Sequence, residues 1–450
     1  MTLTHRRVIY AFFMVIFVIL APVITLRVSG YHYNWKKNNW QKTGMIFLET
    51  KPEEVSIYLN NQLIGDKTPI RIKDLSANKY TLRLEKPSFS NWEKEIQVVE
   101  GQTTTIQYVR LFKEKSVPKL LSAGEITKAA FNKTKDRAAL LKKINADESL
   151  LILVDLNNGT ELAKKSFRKI NVAKMEFIDN GARLAIYATD NLKLISLNNT
   201  DLELDLRKEL AKDDDEINNL KLAADSSENV YYFKNNRLTE FSWLYKREMS
   251  LLPYLPMDYL VFGNKLYFLD DQALNSIILK MVDLGQKKEP EIITFLTAND
   301  YQLSNINDQF LTLENKTKKE LTIVDLENRD SELIKNVAHH QWSESGTELI
   351  FDDNYELWMY RPLEKKDDYL LFTRVSNPIT AIEWYPPKSH VVYAENGLIK
   401  IMENFESNGL VFQLGEFNNV LKIVINKKGD KIFFTGQVNQ VNGLYEIEIQ

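Results

Sequence analysis

The chain opens with an unbroken apolar run and then changes to short strands of alternating polarity. Residues 8–26 form a stretch of 19 positions without a charge. At about 1.5 Å per helical residue, this stretch nearly spans a hydrocarbon core of about 30 Å. The run is apolar on all sides, whereas a helix packed on a soluble core would be amphipathic. We therefore predict an uncleaved transmembrane anchor over residues 1–30.

A cleaved signal peptide is the alternative interpretation of this run, although the run is longer than the usual signal core of about 7–15 residues. Basic residues flank both ends of the run, so charge alone does not fix the orientation in the membrane. The next segment, 31–43, combines aromatic and basic residues in a way that suits the headgroup zone of a bilayer. We predict a juxtamembrane linker here. Its candidate membrane-interface residues are Tyr31, Trp35 and Trp40.

A small all-β region follows at residues 44–112. About six short strands alternate in polarity there, with turn residues between them. Asn60 and Asn61 mark a hairpin turn, because asparagine tolerates a positive φ. The region lacks helical periodicity. The pattern predicts a compact β domain.

Several motifs in this region occur in an order that resembles the PEGA domain, a small β-sandwich module of bacterial and archaeal envelope proteins. The matching positions are Pro52, Glu53, the strand at 55–59, Asn60, Asn61, Gly65, Thr68, Pro69, Tyr80, Pro87, Phe89 and Trp92. The resemblance implies an extracytoplasmic location and carries over no catalytic residue. Trp92 is open to two interpretations, a sugar-stacking platform or a packing residue of the sandwich, and packing is favoured.

From residue 113 onward, one strand pattern recurs in which a leucine is followed three residues later by another apolar residue. The copies are 36 to 46 residues apart and begin at Leu151, Leu192, Leu238, Leu279, Leu321, Leu357, Leu398 and Leu444. A repeated four-stranded unit of about 40–45 residues is typical of a β-propeller. Eight copies predict eight blades, with seven as the alternative if one copy is degenerate.

The last repeat lacks an outer strand, and the segment 117–122 ahead of the first repeat is suited to supply it. Such pairing would close the ring and remove an exposed sheet edge. Two weaker copies of the inner strand pair are predicted around 260–268 and 306–313. The turn at 342–346 (WSESG) resembles the Tol-associated or Trp-Asp-like propeller families. We predict an all-β chain with an N-terminal transmembrane helix, a PEGA-like β-sandwich at 44–112 and a β-propeller at 113–450.

Composition narrows the function classes. Of 450 residues, 44% are apolar and 26% are charged, which excludes wholesale disorder. The net charge of −3 argues against a nucleic-acid binder held by bulk positive charge. The chain has no cysteine, so disulfides and thiolate metal sites are excluded. We expect no cofactor and no nucleic-acid partner.

The titratable clusters mostly favour structural roles. His339 and His340 are adjacent, and neighbouring strand residues point to opposite faces, so a shared metal ion is disfavoured. The acidic run at 213–216 is interpreted as a solvated loop. Turn or capping roles are predicted for Asp155, Asp270, Asp271, Asp283, Asp325, Asp352 and Asp353. Trp342 and Trp384 share a repeat position, which favours packing between blades over ligand stacking.

These features favour a non-catalytic, membrane-tethered protein of the cell envelope, with its C-terminal portion extracytoplasmic. The propeller would serve as a scaffold for an unknown envelope protein or glycan, and the N-terminal helix would contact the lipid bilayer. A propeller enzyme acting on envelope polysaccharide or peptide is the alternative, because propeller active sites are assembled from dispersed loops. A transmembrane sensor is a third hypothesis, which would need a separate partner because the N-terminal flank is short.

Overall fold

The computed structural model describes residues 3–28, 30–34, 39–189, 191–200, 202–211, 215–273, 276–286, 289–364, 368–404 and 409–450. The chain divides into two compact units, Met1–Ser116 together with Gln450, and Val117–Ile449. Both units consist mainly of β-strands, which confirms the predicted fold class.

The first unit begins with helix α1 (Leu3–Val28), which covers the predicted anchor. The stretch Arg7–Val28 is long and apolar enough to cross a membrane, and none of its most apolar window is buried. The core helix of a soluble protein would be mostly buried, so that alternative does not fit. A signal sequence would share these properties.

The rest of the first unit is a β-sandwich of two four-stranded sheets. One sheet contains β1 (Tyr31–Asn34), β2 (Asn39–Lys51), β5 (Ile70–Ser76) and β8 (Thr103–Arg110). The other contains β3 (Ser56–Leu59), β4 (Gln62–Gly65), β6 (Asn78–Glu85) and β7 (Trp92–Val98). Strand β2 pairs antiparallel with β1 and β5, and parallel with β8.

The core of this sandwich follows from the alternating apolar pattern. Ile57, Leu82 and Leu84 are fully buried, and Trp92 is only 1% exposed. A buried indole cannot offer a face for sugar stacking, so the packing interpretation of Trp92 holds. Asn60 and Asn61 both have positive φ, as the predicted hairpin turn requires.

The segment predicted as a linker differs from expectation, because its described residues form the hairpin of β1 and the start of β2. Tyr33 lies opposite Trp40 in this hairpin, and their rings are 5.5 Å apart in an edge-to-face arrangement. Cross-strand aromatic pairs stabilise antiparallel strands. Composition alone suggested contact with headgroups and gave no sign of this pairing.

The second unit contains eight four-stranded antiparallel sheets, which we call blades one to eight in chain order. Blade one contains β10 (Ile126–Phe131), β11 (Arg137–Lys143), β12 (Glu148–Asp155) and β13 (Glu161–Arg168). Blade two contains β14 (Val172–Ile178), β15 (Arg183–Ala188), β16 (Asn191–Ser196) and β17 (Glu203–Asp205), with a 3₁₀ turn at Asp179–Gly181. Helix α2 (Leu206–Leu210) connects blades two and three.

The middle blades keep the same order of strands, from the innermost to the outermost. Blade three contains β18 (Ile217–Leu222), β19 (Asn229–Lys234), β20 (Arg237–Ser242) and β21 (Arg247–Leu252). Blade four contains β22 (Asp258–Phe262), β23 (Lys265–Ala273), β24 (Ser276–Asp283) and β25 (Glu291–Thr297). Blade five contains β26 (Gln302–Ile306), β27 (Phe310–Asn315), β28 (Glu320–Asp325) and β29 (Ser331–Ile334). The two weaker repeats predicted from sequence are therefore complete blades.

The last three blades complete the ring. Blade six contains β30 (His339–Trp342), β31 (Leu349–Asp352), β32 (Glu356–Tyr360) and β33 (Tyr369–Arg374). Blade seven contains β34 (Ile379–Tyr385), β35 (His390–Glu395), β36 (Leu398–Glu403) and β37 (Val411–Glu416). Blade eight contains β38 (Asn418–Ile425), β39 (Lys431–Val438), β40 (Val441–Glu448) and β9 (Lys119–Ala123).

Strand β9 closes the propeller, as predicted from the missing outer strand of the last repeat. It pairs antiparallel with β40, the third strand of blade eight. Blade eight in turn packs on blade one, where Leu121, Phe433 and Leu444 share a cluster with residues of β11 and β12. The second unit therefore joins its first and last strands in one blade, which leaves eight blades in a closed ring.

Candidate functional site

Two of the three predicted membrane-interface residues, Tyr31 and Trp40, lie in the β1–β2 hairpin. Tyr31 is half-buried and pairs with Lys42, and Trp40 is 39% exposed. Trp35 lies outside the described residues. The hairpin therefore presents at least one exposed indole next to α1. Its role at a bilayer remains a prediction.

The most distinctive polar site of the propeller is a cavity of about 460 Å³ between blades five and six. It opens on the end of the propeller where the innermost strand of each blade begins, which we call the cavity face. Four segments form it: the β27–β28 turn, the connection between blades five and six, the start of β30 and the β31–β32 turn. The lining residues are Glu314, Asn315, Lys316, Lys319, Glu320, Leu321, Val337, Ala338, His339, His340 and Asn354.

Local hydrogen bonds hold these segments in place. The Asn315 side-chain oxygen accepts from the backbone N–H of Lys318 at 2.9 Å and so shapes the β27–β28 turn. The backbone N–H of Val337 donates to the Lys319 carbonyl at 2.8 Å and fixes the connection against that turn. Ala338 donates to the Asp352 carbonyl at 2.7 Å. Such bonds satisfy the backbone of a polar loop without filling the space beside it.

An aromatic layer lies farther along the same blade junction and supports the cavity. Trp342 stacks on Phe310 with ring centroids 5.4 Å apart, and its indole N–H donates to the Thr312 hydroxyl at 2.9 Å. Trp384 similarly donates to the backbone carbonyl of Gln341 in blade six. Both tryptophans thus bridge neighbouring blades, as the shared repeat position predicted.

The two histidines of the cavity have different partners. His339 pairs with Asp352 across the strands, and its Nδ1 is 2.9 Å from a carboxylate oxygen of that fully buried residue. In the tautomer with its proton on Nδ1, His339 donates to this carboxylate and its Nε2 is an acceptor. His340 Nε2 is 3.6 Å from Glu314. Burial lowers the pKa of His340, and the charge of Glu314 opposes this effect.

The cavity also contains hydrogen-bond donors without acceptors. Asn315 is 2% exposed, and its side-chain N–H₂ group has no hydrogen-bond partner. An unsatisfied buried donor costs about 1–3 kcal/mol. Lys316, Lys318, Lys319 and Lys335 are exposed on the turn and the adjacent connection, and the described residues place no carboxylate within ion-pairing distance of these four ammonium groups. The lining thus carries the ammonium groups of Lys316 and Lys319 as well as the carboxylates of Glu314 and Glu320, and Lys318 and Lys335 add positive charge outside the lining.

A second polar group lies along the innermost strands of blades six to eight. Gln341 donates to Glu383 at 3.1 Å, and Lys422 donates to the carbonyl of Ala129 at 3.0 Å. Burial raises the pKa of Glu383, and the positive charges of Lys135 and Lys422 oppose that shift. Burial likewise lowers the pKa of Lys422. The group offers one carboxylate, whereas glycosidase-type hydrolysis requires a pair.

The recurring aspartates have the turn role predicted from their spacing. Asp155, Asp283 and Asp325 each accept the backbone N–H of the residue two positions on, at 2.8 to 2.9 Å. Asp353 accepts two backbone N–H groups in the same manner. These side chains stabilise turns and contribute nothing to the cavity.

Other aspartate predictions need correction or stay open. Asp270 was predicted as a turn residue, but β23 continues past it, and its buried carboxylate pairs with Lys280 at 2.6 Å. Asp352 does accept the N–H of Asn354, yet it also orients His339. Residues 213 and 214 of the acidic run lie outside the described residues.

A metal ion has no evident ligand set in the part of the chain that the structure describes. Its histidines, aspartates and glutamates do not form a group of three or more suited to one ion. His339 and His340 in particular face different partners, Asp352 and Glu314. The cavity is better suited to a ligand held by hydrogen bonds and charge.

Comparison with protein families identifies the sandwich of the first unit. Residues 43–111 match the PEGA domain. This match confirms the resemblance drawn from the order of motifs. It covers a small part of the chain and leaves the propeller unassigned.

Comparison with solved structures gives WD40 and other β-propeller domains of low sequence identity. The C-terminal WD40 domain of Sif2 has a TM-score of 0.49 and 11% identity, covering 74% of this chain and 99% of that one. The Dos1 propeller has a TM-score of 0.48 and 13% identity, covering 75% of this chain and 95% of that one. No curated protein matches the chain. The likenesses describe the fold alone, and the fold assignment here rests on the eight sheets themselves.

Proposed function

We propose that this chain is a non-catalytic, single-pass membrane protein of the cell envelope, whose extracytoplasmic propeller is a binding scaffold for a protein or glycan. The observation that carries the proposal is the cavity between blades five and six. Rigid strands surround it, while its polar groups come from turns and connections. Binding residues commonly occupy such loops on a rigid framework.

The membrane part of the proposal rests on α1 and the PEGA match. An exposed, continuously apolar helix needs a lipid environment, and PEGA modules imply an extracytoplasmic location. N-terminal sequencing of the protein from membranes tests this directly. We expect α1 to be retained and the propeller to be digested by protease added to the outer side. A mature protein beginning after residue 28 would refute the anchor.

The scaffold part is tested with the full-length protein in lipid nanodiscs. The protein is incubated with envelope extract, and bound proteins and glycans are identified. A cavity-face variant, Lys319→Glu with Lys335→Glu, should lose the retained partner. Lys246→Glu, which changes an exposed lysine on the β20–β21 turn at the other end of the propeller, is the matched control and should retain it. Equal retention by both variants would refute binding at the cavity face.

An enzyme remains the second candidate, and Glu383 is the observation that favours it. A carboxyl group with a raised pKa can hold a proton for general acid catalysis. Turnover of envelope glycan or peptide by the wild-type protein, abolished by Glu383→Gln, would reverse the ranking. If the protein turns over neither glycan nor peptide, and the cavity-face variant loses the retained partner, the scaffold function would be supported.

A further inference from the structure

The chemistry of the cavity narrows the class of ligand that it would accept. This inference rests on the proposed function and deepens it. The side-chain N–H₂ group of Asn315 is buried at the cavity wall without an acceptor. The orientation of this amide is set, because its oxygen already accepts the N–H of Lys318. The open donor therefore calls for an acceptor from outside the chain.

The positive charge of the lysines around the cavity opening indicates what kind of acceptor would bind there. Lys316 and Lys319 line the cavity, and Lys335 lies on the connection that is bonded to the Lys319 carbonyl through Val337. The described carboxylates leave these ammonium groups without ion pairs. An anionic acceptor would therefore satisfy the amide and the lysines together.

Other residues of the cavity wall supply hydrogen-bond acceptors. In the tautomer that donates from Nδ1 to Asp352, His339 presents an Nε2 lone pair to the cavity. The carboxylates of Glu314 and Glu320 and the amide of Asn354 also line the cavity. Negative charge at Glu314 and Glu320 disfavours a dianion, so a single carboxylate fits better than a phosphate. The acceptors around it call for several hydroxyl groups on the same ligand.

We propose that the cavity binds an acidic sugar residue of a glycan, with its carboxylate at Asn315, Lys316 and Lys319. Its hydroxyl groups lie at His339, Glu314 and Asn354. A volume of about 460 Å³ lies within the range of small-molecule sites, about 300–1,000 Å³. One sugar ring presents donors in several directions at once. A peptide strand would place its N–H groups along a line and would leave part of this acceptor set unused.

Calorimetric titration of the full-length protein in nanodiscs tests the proposal. The probes are a glucuronate-containing tetrasaccharide, a neutral glucose tetrasaccharide, a glutamate tetrapeptide and inorganic phosphate. We expect the acidic tetrasaccharide to bind at least ten-fold more tightly than each of the other three. The affinity of the protein for the acidic tetrasaccharide should also fall with added salt, because Lys316 and Lys319 are exposed and salt screens their charges.

The decisive variant is Asn315→Asp. It keeps an oxygen for the Lys318 N–H and so preserves the turn, but it replaces the open donor with a carboxylate. Binding of the acidic tetrasaccharide should weaken at least ten-fold, whereas Lys246→Gln on the other end of the propeller should leave it unchanged. The thermal midpoint of each variant reports whether it is folded. His339→Asn, which removes the Nε2 acceptor, should weaken the neutral and acidic sugars alike.

Several outcomes would overturn the proposal. Equal affinity for the neutral and acidic sugars, or full binding by folded Asn315→Asp, would refute the carboxylate site. Preferential binding of the glutamate peptide or of phosphate would refute the sugar class. A partner retained in a cavity-dependent manner, without binding of the acidic sugar, would refute this inference while the proposed scaffold stands. If the cavity-face variant retained the partner as well as the wild-type protein does, the proposed scaffold itself would be refuted.

Discussion

Two junctions between neighbouring blades of the propeller are built from equivalent strands, but they differ in the hydrogen bonding of a buried polar side chain. Where blade eight meets blade one, Lys142 is buried and donates to the Ser122 hydroxyl at 2.8 Å and to the Ala123 carbonyl at 2.5 Å. Where blade five meets blade six, the buried amide of Asn315 lacks an acceptor, and a cavity opens beside it.

The difference shows that equivalent repeat positions do not fix how a blade junction satisfies its buried polar groups. The closing junction must hold together strands from opposite ends of the unit, and the buried ammonium group of Lys142 bonds across it. The junction of blades five and six lies within a continuous run of repeats and needs no such closure. Its aromatic layer of Phe310 and Trp342 suffices for packing. The turns above that layer are therefore free to carry unsatisfied donors, at a cost in stability.

The largest effect is expected where the ring closes. Leu121 on β9 is 7% exposed and packs on blade one, whereas its neighbour Leu120 is 43% exposed. Leu121→Asp places an uncompensated charge in that cluster and should lower the free energy of unfolding by about 3–5 kcal/mol. Leu120→Asp is the matched control and should cost less than about 1 kcal/mol. Denaturant unfolding of the full-length protein in detergent measures both.

Similarly small losses for Leu120→Asp and Leu121→Asp would show that β9 contributes little to closure. The comparison of the two junctions would then fail, because the closing junction would not depend on its internal contacts. A loss confined to Leu121→Asp would support it.

The sequence predicted the closing junction well and the cavity poorly, for a physical reason. Closure of the ring depends on the apolar segment 117–122 and on the missing outer strand of the last repeat, and both are visible as local sequence patterns. The cavity depends on Asn315, His339 and Asn354, which come from separate turns and strands. The lysine-rich turn 316–319 and the histidine pair were visible signals. Their proximity follows only from knowing that second-strand turns and first-strand starts share one end of a propeller.

The misassigned Asp270 illustrates the same limit. An aspartate after an apolar strand usually begins a turn, and Asp155 and Asp325 follow that rule. At Asp270 the strand continues, and Lys280 on β24 supplies a partner for the buried carboxylate. The length of a strand is set by its pairing partner as well as by its own residues, so local propensity could not reveal it.

A smaller effect is expected in the aromatic layer beside the cavity. Trp342→Phe keeps the ring that stacks on Phe310 but removes the donor to Thr312, whose side chain is fully buried. The free energy of unfolding should fall by about 1–3 kcal/mol. In the double variant, Thr312→Val removes the hydroxyl that Trp342→Phe leaves without its donor. Part of the lost free energy of unfolding should then be recovered. A double-mutant cycle measures the coupling. Strictly additive losses would show that this hydrogen bond does not stabilise the junction.

The smallest effect concerns the pH dependence of the same junction. Burial lowers the pKa of His340 from its ordinary value of 6.5, so the unfolded chain binds a proton more readily than the folded protein. Stability is therefore fully present above about pH 6.5 and falls as the pH drops below that value, by at most about 1.4 kcal/mol per pH unit. His340→Gln should flatten this slope between pH 5.5 and 7.

Glu314 sharpens this test because its negative charge opposes the shift. Glu314→Gln should lower the pKa of His340 further and steepen the slope that His340→Gln abolishes. Trp342→Phe is the matched control, since it destabilises the same junction without changing a titratable group and should keep the wild-type slope. A flatter slope in Glu314→Gln would mean that Glu314 does not act on His340 as a charge. The cavity would then be less polar than its lining implies, and its contrast with the closing junction would be correspondingly weaker.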